Sequence, residues 1–311
     1  MAPDGPRHAG SVRLVTSHDL HRRRLLGVAL ALVSAASFGV MPVLTKIIYE
    51  DGAEPVGVLA VRFALAAAVL QFLARSRREQ RPRGRTLLLL AALGGVGYVG
   101  QSLTYFFALE RISAGLTSLL LYFFPALVVV ITAVLHRRRP RPLVVACVVI
   151  ATIGTALTVG PVQGGQTTGV LLGLSAALIY ALYIVVSSRV VGVGPFTTAA
   201  WVLTAGAVTM ALLALLTRPA LPSSTGAWLA MVGVALIGTV VAVTAFFKAL
   251  TLLGPADTAV ISTVEPVVSI AVAGLVLGER LSALQLTGGA VVLLAVGVLA
   301  RARPVDEPVP V

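Results

Sequence analysis

Charge is what this sequence has least of. Of its 311 residues only 12% are Asp, Glu, Lys or Arg while 58% are apolar, and a mean hydropathy of +0.98 excludes a soluble globular domain. Cysteine is nearly absent too. Cys147 stands alone inside an apolar run, which excludes an intramolecular disulfide and a thiolate metal site and leaves a small buried hydrophobe. The four histidines, His8, His18, His21 and His136, all lie outside the long apolar runs. No His-Glu-x-x-His, Gly-x-Ser-x-Gly or phosphate-loop pattern occurs, so no enzyme, no metal, no cofactor and no ATP-driven step is expected.

What the chain has is apolar runs of about 20 residues, each long enough to cross roughly 30 Å of hydrocarbon as a helix. Ten such runs are expected, at 25–48, 55–74, 86–109, 113–135 and 142–159, then at 169–190, 195–216, 227–250, 255–277 and 282–299. The lipid bilayer is thus the chain's first partner. A net charge of +12 raises nucleic acid as another, but the arginines sit in short segments between runs, not on a folded basic face. The positive-inside rule accounts for them. Arg75, Arg77, Arg78, Arg81, Arg83 and Arg85 share one side with Arg137, Arg138, Arg139 and Arg141, whereas Glu50, Asp51, Glu54, Glu110 and Glu279 fall on the other. This bias places both termini in the cytoplasm of a bacterial plasma membrane. Residues 1–24 read as a basic, disordered cytoplasmic tail and 303–311 as a second tail. The first run follows basic residues as a signal peptide does, but Ser34-Ala35-Ala36 recurs as Ser175-Ala176-Ala177, which favours a retained span.

That recurrence is part of a duplication. A shift of 141 positions pairs Gly97 with Gly238, Phe106 with Phe247, Leu109 with Leu250, Thr117 with Thr258 and Pro125 with Pro266. The halves are 25–160 and 168–302. With five spans in each, the second copy enters the membrane from the opposite face, and such inverted repeats can open one central site to either side in turn. The paired five-run halves, Arg62-Phe63 early in the second run, and the ending TVEPVVS, LGERLS and GGAVVLLAVGV resemble the EamA family of drug/metabolite transporters over about residues 25–302. The resemblance implies ten helices around a central cavity and transport of small metabolites, often outward. One motif is not shared by the halves: His136-Arg137-Arg138-Arg139 stands where Leu277-Gly278-Glu279-Arg280 stands in the second, so the Gly-Glu turn belongs to Gly278 and Glu279 only.

Glu265 is the sharpest signal, near the middle of the ninth run. A charged carboxylate at that depth costs roughly 2.5–3.5 kcal/mol, so it should face the interior, paired or protonated. It reads either as a proton carrier or amine partner, or as a carboxyl held by hydrogen bonds beside a kink. Pro266 and Pro125 lack an amide hydrogen and crowd the carbonyls of Ser262 and Leu121, which bends both helices for gating or for static packing. Arg62 is a charge partner for an acidic side chain or a clamp for an anionic group, whereas Lys46 snorkels to water and Lys248 either pairs locally with Asp257 or snorkels. Polar residues recur at helical steps: Gly94, Tyr98, Gln101 and Tyr105; Ser118 and Tyr122; Tyr180, Tyr183 and Ser187; Thr258, Ser262, Glu265 and Ser269. These stripes line a wet cavity, or else serve interhelical hydrogen bonds and aromatic belts. Gly169 with Gly173 and Gly274 with Gly278 permit close helix packing inside one chain, which makes the protein a monomer or a weak homodimer.

The resulting expectation is an all-α integral membrane protein of ten helices in two inverted repeats. It would be a secondary active transporter exporting a small polar or amphipathic metabolite, with protons as coupling ions. The substrate contacts expected are Glu265, Arg62, Gln101, Tyr98, Tyr105, Tyr122, Tyr180, Tyr183 and Ser262. A passive facilitator or channel is the alternative, and a membrane scaffold or sensor a third reading.

Overall fold

Apolar runs in lipid must satisfy their backbone groups internally, which favours helices. The computed structural model describes residues 17–135, 137, 142–159, 166–187, 189–190, 192–253, 258 and 261–301, and among them contains helices and no strand. In the first half α1 is Ser17–Glu50, α2 Pro55–Ser76, α3 Gly84–Ala92, α4 Val99–Leu109, α5 Ala114–Leu121, α6 Phe124–Leu135 and α7 Pro142–Val159. In the second α8 is Gln166–Ser187, α9 Pro195–Thr217, α10 Thr225–Ala235, α11 Ala242–Leu253, α12 Val264–Val276 and α13 Ala283–Arg301. Two π-helical segments, Leu93–Tyr98 and Leu236–Val241, join α3 to α4 and α10 to α11.

Seven helical stretches among the described residues are long and apolar enough to cross a membrane. Val145–Leu157, Val264–Val276 and Ala283–Val298 are shorter apolar helices. Their outer faces expose Leu215, Leu216, Leu275 and Phe72, while Phe63, Phe106, Leu59, Leu70 and Met210 fill the interior. An apolar surface over an apolar core belongs in lipid. The first helix differs from expectation. It begins at Ser17, so Arg22, Arg23 and Arg24 lie on a helix, not in a disordered tail. No helix breaker separates these residues from the span, and arginine and leucine propagate a helix well. The tails at 1–16 and 302–311, His136, Arg138, Arg139, Arg141 and Asp257 lie outside the described residues.

Packing follows the duplication. Equivalent helices pair directly, α2 with α9 and α7 with α13. The helix α1 packs on α11 and α12 of the second half, and α8 packs on α4, α5 and α6 of the first. The contacts of α1 with α11 and α12 thus have counterparts, with the halves exchanged, in those of α8 with α4 and α6. Gly94 shows why small residues are needed where π segment meets α9: a Cβ there would lie 2.1 Å from the Val202 carbonyl oxygen. Gly169 and Gly173 likewise face Ile112 and Leu120 within the chain.

Carboxylates tie the halves at helix starts. Asp51 accepts hydrogen bonds from the Ser223 and Ser224 amides at 2.5 and 2.9 Å, just before α10. Glu79 accepts from the Thr197 amide at 2.7 Å in the first turn of α9. Both meet unsatisfied amides at the positive end of a helix dipole. Hydrogen bonds from Ser224 and Ser223 hold the Asp51 carboxyl below the ordinary aspartate range. A carboxyl depressed on folding stabilises the fold above its unfolded value, and that contribution disappears as pH falls through the folded value.

Two outcomes follow from these contacts. Gly94→Ala should destabilise the protein by about 1–3 kcal/mol, read as a lower midpoint of unfolding in detergent, because carbonyl and Cβ cannot share the space. Asp51→Ala should lower thermal stability at neutral pH, and the gap to wild type should close as acid protonates Asp51; a gap independent of pH would remove the carboxylate from the account.

Candidate functional site

The centre of the molecule is built where two helices break. Pro266 has no amide hydrogen for the Ser262 carbonyl, and the ninth run stops at Thr263 before resuming as α12. In the first half the chain turns at Tyr122 and Phe123 just before Pro125, dividing α5 from α6. The hydroxyl of Tyr122 reaches across the gap. It lies 2.5 Å from the Ser262 carbonyl oxygen and 2.9 Å from Oε2 of Glu265. The carbonyl that proline orphans in one half is thus capped by a phenol from the other.

A seam runs from this point to one end of the protein. One turn from Tyr122, the Ser118 hydroxyl is 2.9 Å from that of Ser269, which stands one turn beyond Glu265, and Tyr105 joins the pair at 3.3 Å. A further turn on, Glu279 accepts from the Ala114 amide at 2.9 Å and from that of Gly115 at 3.4 Å. Gly278, at φ 66°, makes the reversal that returns Glu279 to the start of α5. As α5 advances from Ala114 to Tyr122 its partners recede from Glu279 to Glu265, so the fourth run and the ninth, its equivalent in the repeat, pass each other antiparallel here.

Arg62 occupies a second centre. It is 2% exposed; its Nε donates to the Thr239 hydroxyl at 2.9 Å and its Nη2 to the Tyr98 hydroxyl at 3.3 Å. The ring centroids of Phe63 and Phe106 lie 5.5 and 5.3 Å from its guanidinium carbon. No carboxylate among the described residues lies within 4 Å, so the pairing with an acidic side chain is not found. A charge so removed from water costs several kcal/mol, and cation–π contacts return only about 1–2 kcal/mol. Tyr98 and Thr239 differ by the repeat offset of 141 and each belongs to a π segment. Arg62 therefore braces equivalent points of the two halves.

Aromatic rings connect the two centres. Phe63, Tyr98, Tyr183, Tyr180, Phe124 and Tyr122 touch in series with centroids 5.3, 5.9, 6.1, 4.7 and 6.0 Å apart. The series starts beside Arg62 and ends on the phenol that meets Glu265. Of the residues expected at the site, Arg62, Tyr98, Tyr105, Tyr122, Tyr180, Tyr183, Ser262 and Glu265 fall on these connected networks. Gln101 does not join them: it is buried and its side-chain oxygen accepts from the adjacent Ser102 at 3.3 Å.

Comparison with known proteins completes the description. The sequence matches the EamA-like transporter family over residues 25–160 and again over 167–301. The chain belongs to the EamA-like transporter family. This EamA-like protein is 27% identical over 282 residues to the uncharacterized transporter YcbK of Bacillus subtilis (strain 168), a match covering 86% of this chain and 90% of that one. A protein of known crystal structure superposes with a TM-score of 0.63 over 90% of this chain and 98% of its own, at 22% identity, which is a likeness of fold. The chain is accordingly a membrane transporter.

Three participants escaped the polar stripes. Thr239 is one of two threonines in an apolar run, yet its pairing with Tyr98 under the repeat offset marks the position. Phe63 and Phe124 carry no polar group, and only their neighbours Arg62 and Pro125 signal them. Tyr122→Phe should leave the Ser262 carbonyl without its cap, cost about 1–3 kcal/mol and lower the unfolding midpoint in detergent. Midpoints equal to wild type would mean that the phenol caps nothing.

Proposed function

We propose that this EamA-like transporter is a secondary active exporter of a small polar or amphipathic metabolite, such as an amino acid, amine or nucleobase. It works by alternating access, with a proton carried at Glu265. In this reading the ten apolar runs are ten spans in two inverted repeats, 25–160 and 168–302, in the plasma membrane with both termini cytoplasmic. The antiparallel course of α5 and α12 and the exchange of packing partners between halves support the inversion. The hinge role falls to Pro125 and Pro266, where both helices are interrupted.

One observation carries the coupling. The Tyr122 hydroxyl has a single proton and two acceptor groups at hydrogen-bond distance, the Ser262 carbonyl and the Glu265 carboxyl. A carbonyl cannot donate. When Tyr122 donates to Ser262, the contact with Glu265 is a hydrogen bond only if the carboxyl carries a proton and donates to the phenol oxygen. If Glu265 loses that proton, Tyr122 must serve the carboxylate and leave the Ser262 carbonyl bare, or the reverse. Either choice weakens the seam where it meets the helix breaks, so proton occupancy and closure of the Ala114 end are linked.

The proposed topology makes the Ala114 end external, and the order of events is that of an antiporter. A proton arriving from outside neutralises Glu265 and closes the outer seam. Its release to the cytoplasm vacates the site for outgoing solute, and the charged carboxylate favours reopening. No nucleotide is required. In liposomes holding a pH-sensitive dye, a transported solute from a panel of amino acids, amines and nucleobases should move protons with wild-type protein. With Glu265→Gln, which keeps the shape and cannot titrate, gradient-driven accumulation should fall to that of protein-free vesicles while solute exchange persists. Accumulation undiminished in this variant would sink the coupling, and equilibration without accumulation by wild type would make the protein a passive facilitator.

A further inference from the structure

We propose that Arg62 and Tyr98 together bind an anionic oxygen of the transported solute, a carboxylate or phosphate borne on a body lying along the aromatic series. The proposal deepens the transport reading above and rests on it for passage of the solute, though not for binding. Arginine remains charged at any pH a cell reaches, so burial cannot be relieved by losing the proton. Its partners in the structure are all neutral: the Thr239 and Tyr98 hydroxyls and the two phenylalanine rings. Thr239 is fully engaged, since its own proton goes to the Val234 carbonyl at 3.0 Å. Tyr98 is not. Its oxygen accepts from Arg62, and its own proton meets no acceptor among the described residues. Nη1 of Arg62 likewise has no hydrogen-bond partner among them.

Two vacant donors, a guanidinium N–H and a phenol O–H, therefore stand side by side on a buried positive charge. An oxyanion supplies what is missing: charge neutralisation and acceptors for both. An amine or a neutral hydroxyl supplies less, because the first repels the guanidinium and the second leaves the charge unbalanced. Tyr98 is also the second ring of the aromatic series, stacked on Phe63 and followed by Tyr183. A planar body attached to the anionic group would continue along those rings toward Tyr122.

The test is thermal unfolding of the purified full-length protein in detergent with benzoate, phenyl phosphate, benzyl alcohol and benzylamine, which share a ring and differ in the head group. Benzoate, phenyl phosphate or both should raise the midpoint saturably, and benzyl alcohol and benzylamine should not. A response to benzoate alone assigns a carboxylate, and to phenyl phosphate alone a phosphate ester. Arg62→Gln should abolish the response. Arg62→Lys, which keeps the charge and loses the fork of donors, should weaken binding by about tenfold, and this variant decides the matter if the glutamine protein fails to fold. Stabilisation by the alcohol or amine equal to that by the anions, absence of any response, or wild-type affinity in either variant would overturn the assignment. Binding is read on wild type without a gradient, so failure here leaves proton coupling at Glu265 standing, and failure of coupling leaves the anion site standing.

Discussion

A carbonyl that loses its helical donor in hydrocarbon has no water to turn to, and the arrangement at Ser262 answers that constraint. Proline at 266 removes the donor, and a phenol from the other half restores it. Everything along the seam depends on this repair. Tyr122 must stand at the break in the first half to reach the break in the second, which fixes the register of α5 against α12. That register in turn brings Ser118 to Ser269 and lets Glu279 meet the amides of Ala114 and Gly115. A static packing defect would be filled with apolar side chains. Here it is filled with a hydroxyl that meets both the bare carbonyl and a titratable carboxyl.

The halves share geometry but divide the chemistry. Both carry a π segment in the third helix and a break before the proline of the fourth. Arg62 belongs only to the first half, since α9, the equivalent of α2, carries no charged residue, and Glu265 only to the second, with Phe124 as its counterpart. Symmetry supplies a framework with two related shapes, and its violation puts a positive group and a carboxyl on opposite sides of one aromatic series. A guanidinium at one end and a titratable carboxyl at the other give the site a polarity that a perfectly duplicated chain would lack.

Much of this was legible from residues alone. Helical runs, the repeat offset and the isolated Glu265 follow from hydropathy, and the tyrosines at helical steps do meet in the interior. The rest was hidden for identifiable reasons. A π turn has no sequence signature strong enough to read, and that Gln101 meets the adjacent Ser102 is a local contact that helical spacing does not show. The partner of Arg62 was sought among acids because charge seeks charge, whereas the fold supplies Thr239, a residue with no mark except its place in the repeat. The glutamate of the Gly-Glu turn was visible as a motif, but which amides it meets is a matter of tertiary approach.

The π segments have one more consequence. Each accommodates about one residue beyond the α-helical count, which turns everything downstream by close to 100° about the axis. Chains of this fold that lack the surplus residue and make a plain α turn there would keep the same downstream side chains inward, with one position fewer before them. Matching such chains position by position through this stretch without a gap would equate inward-facing residues with lipid-facing ones.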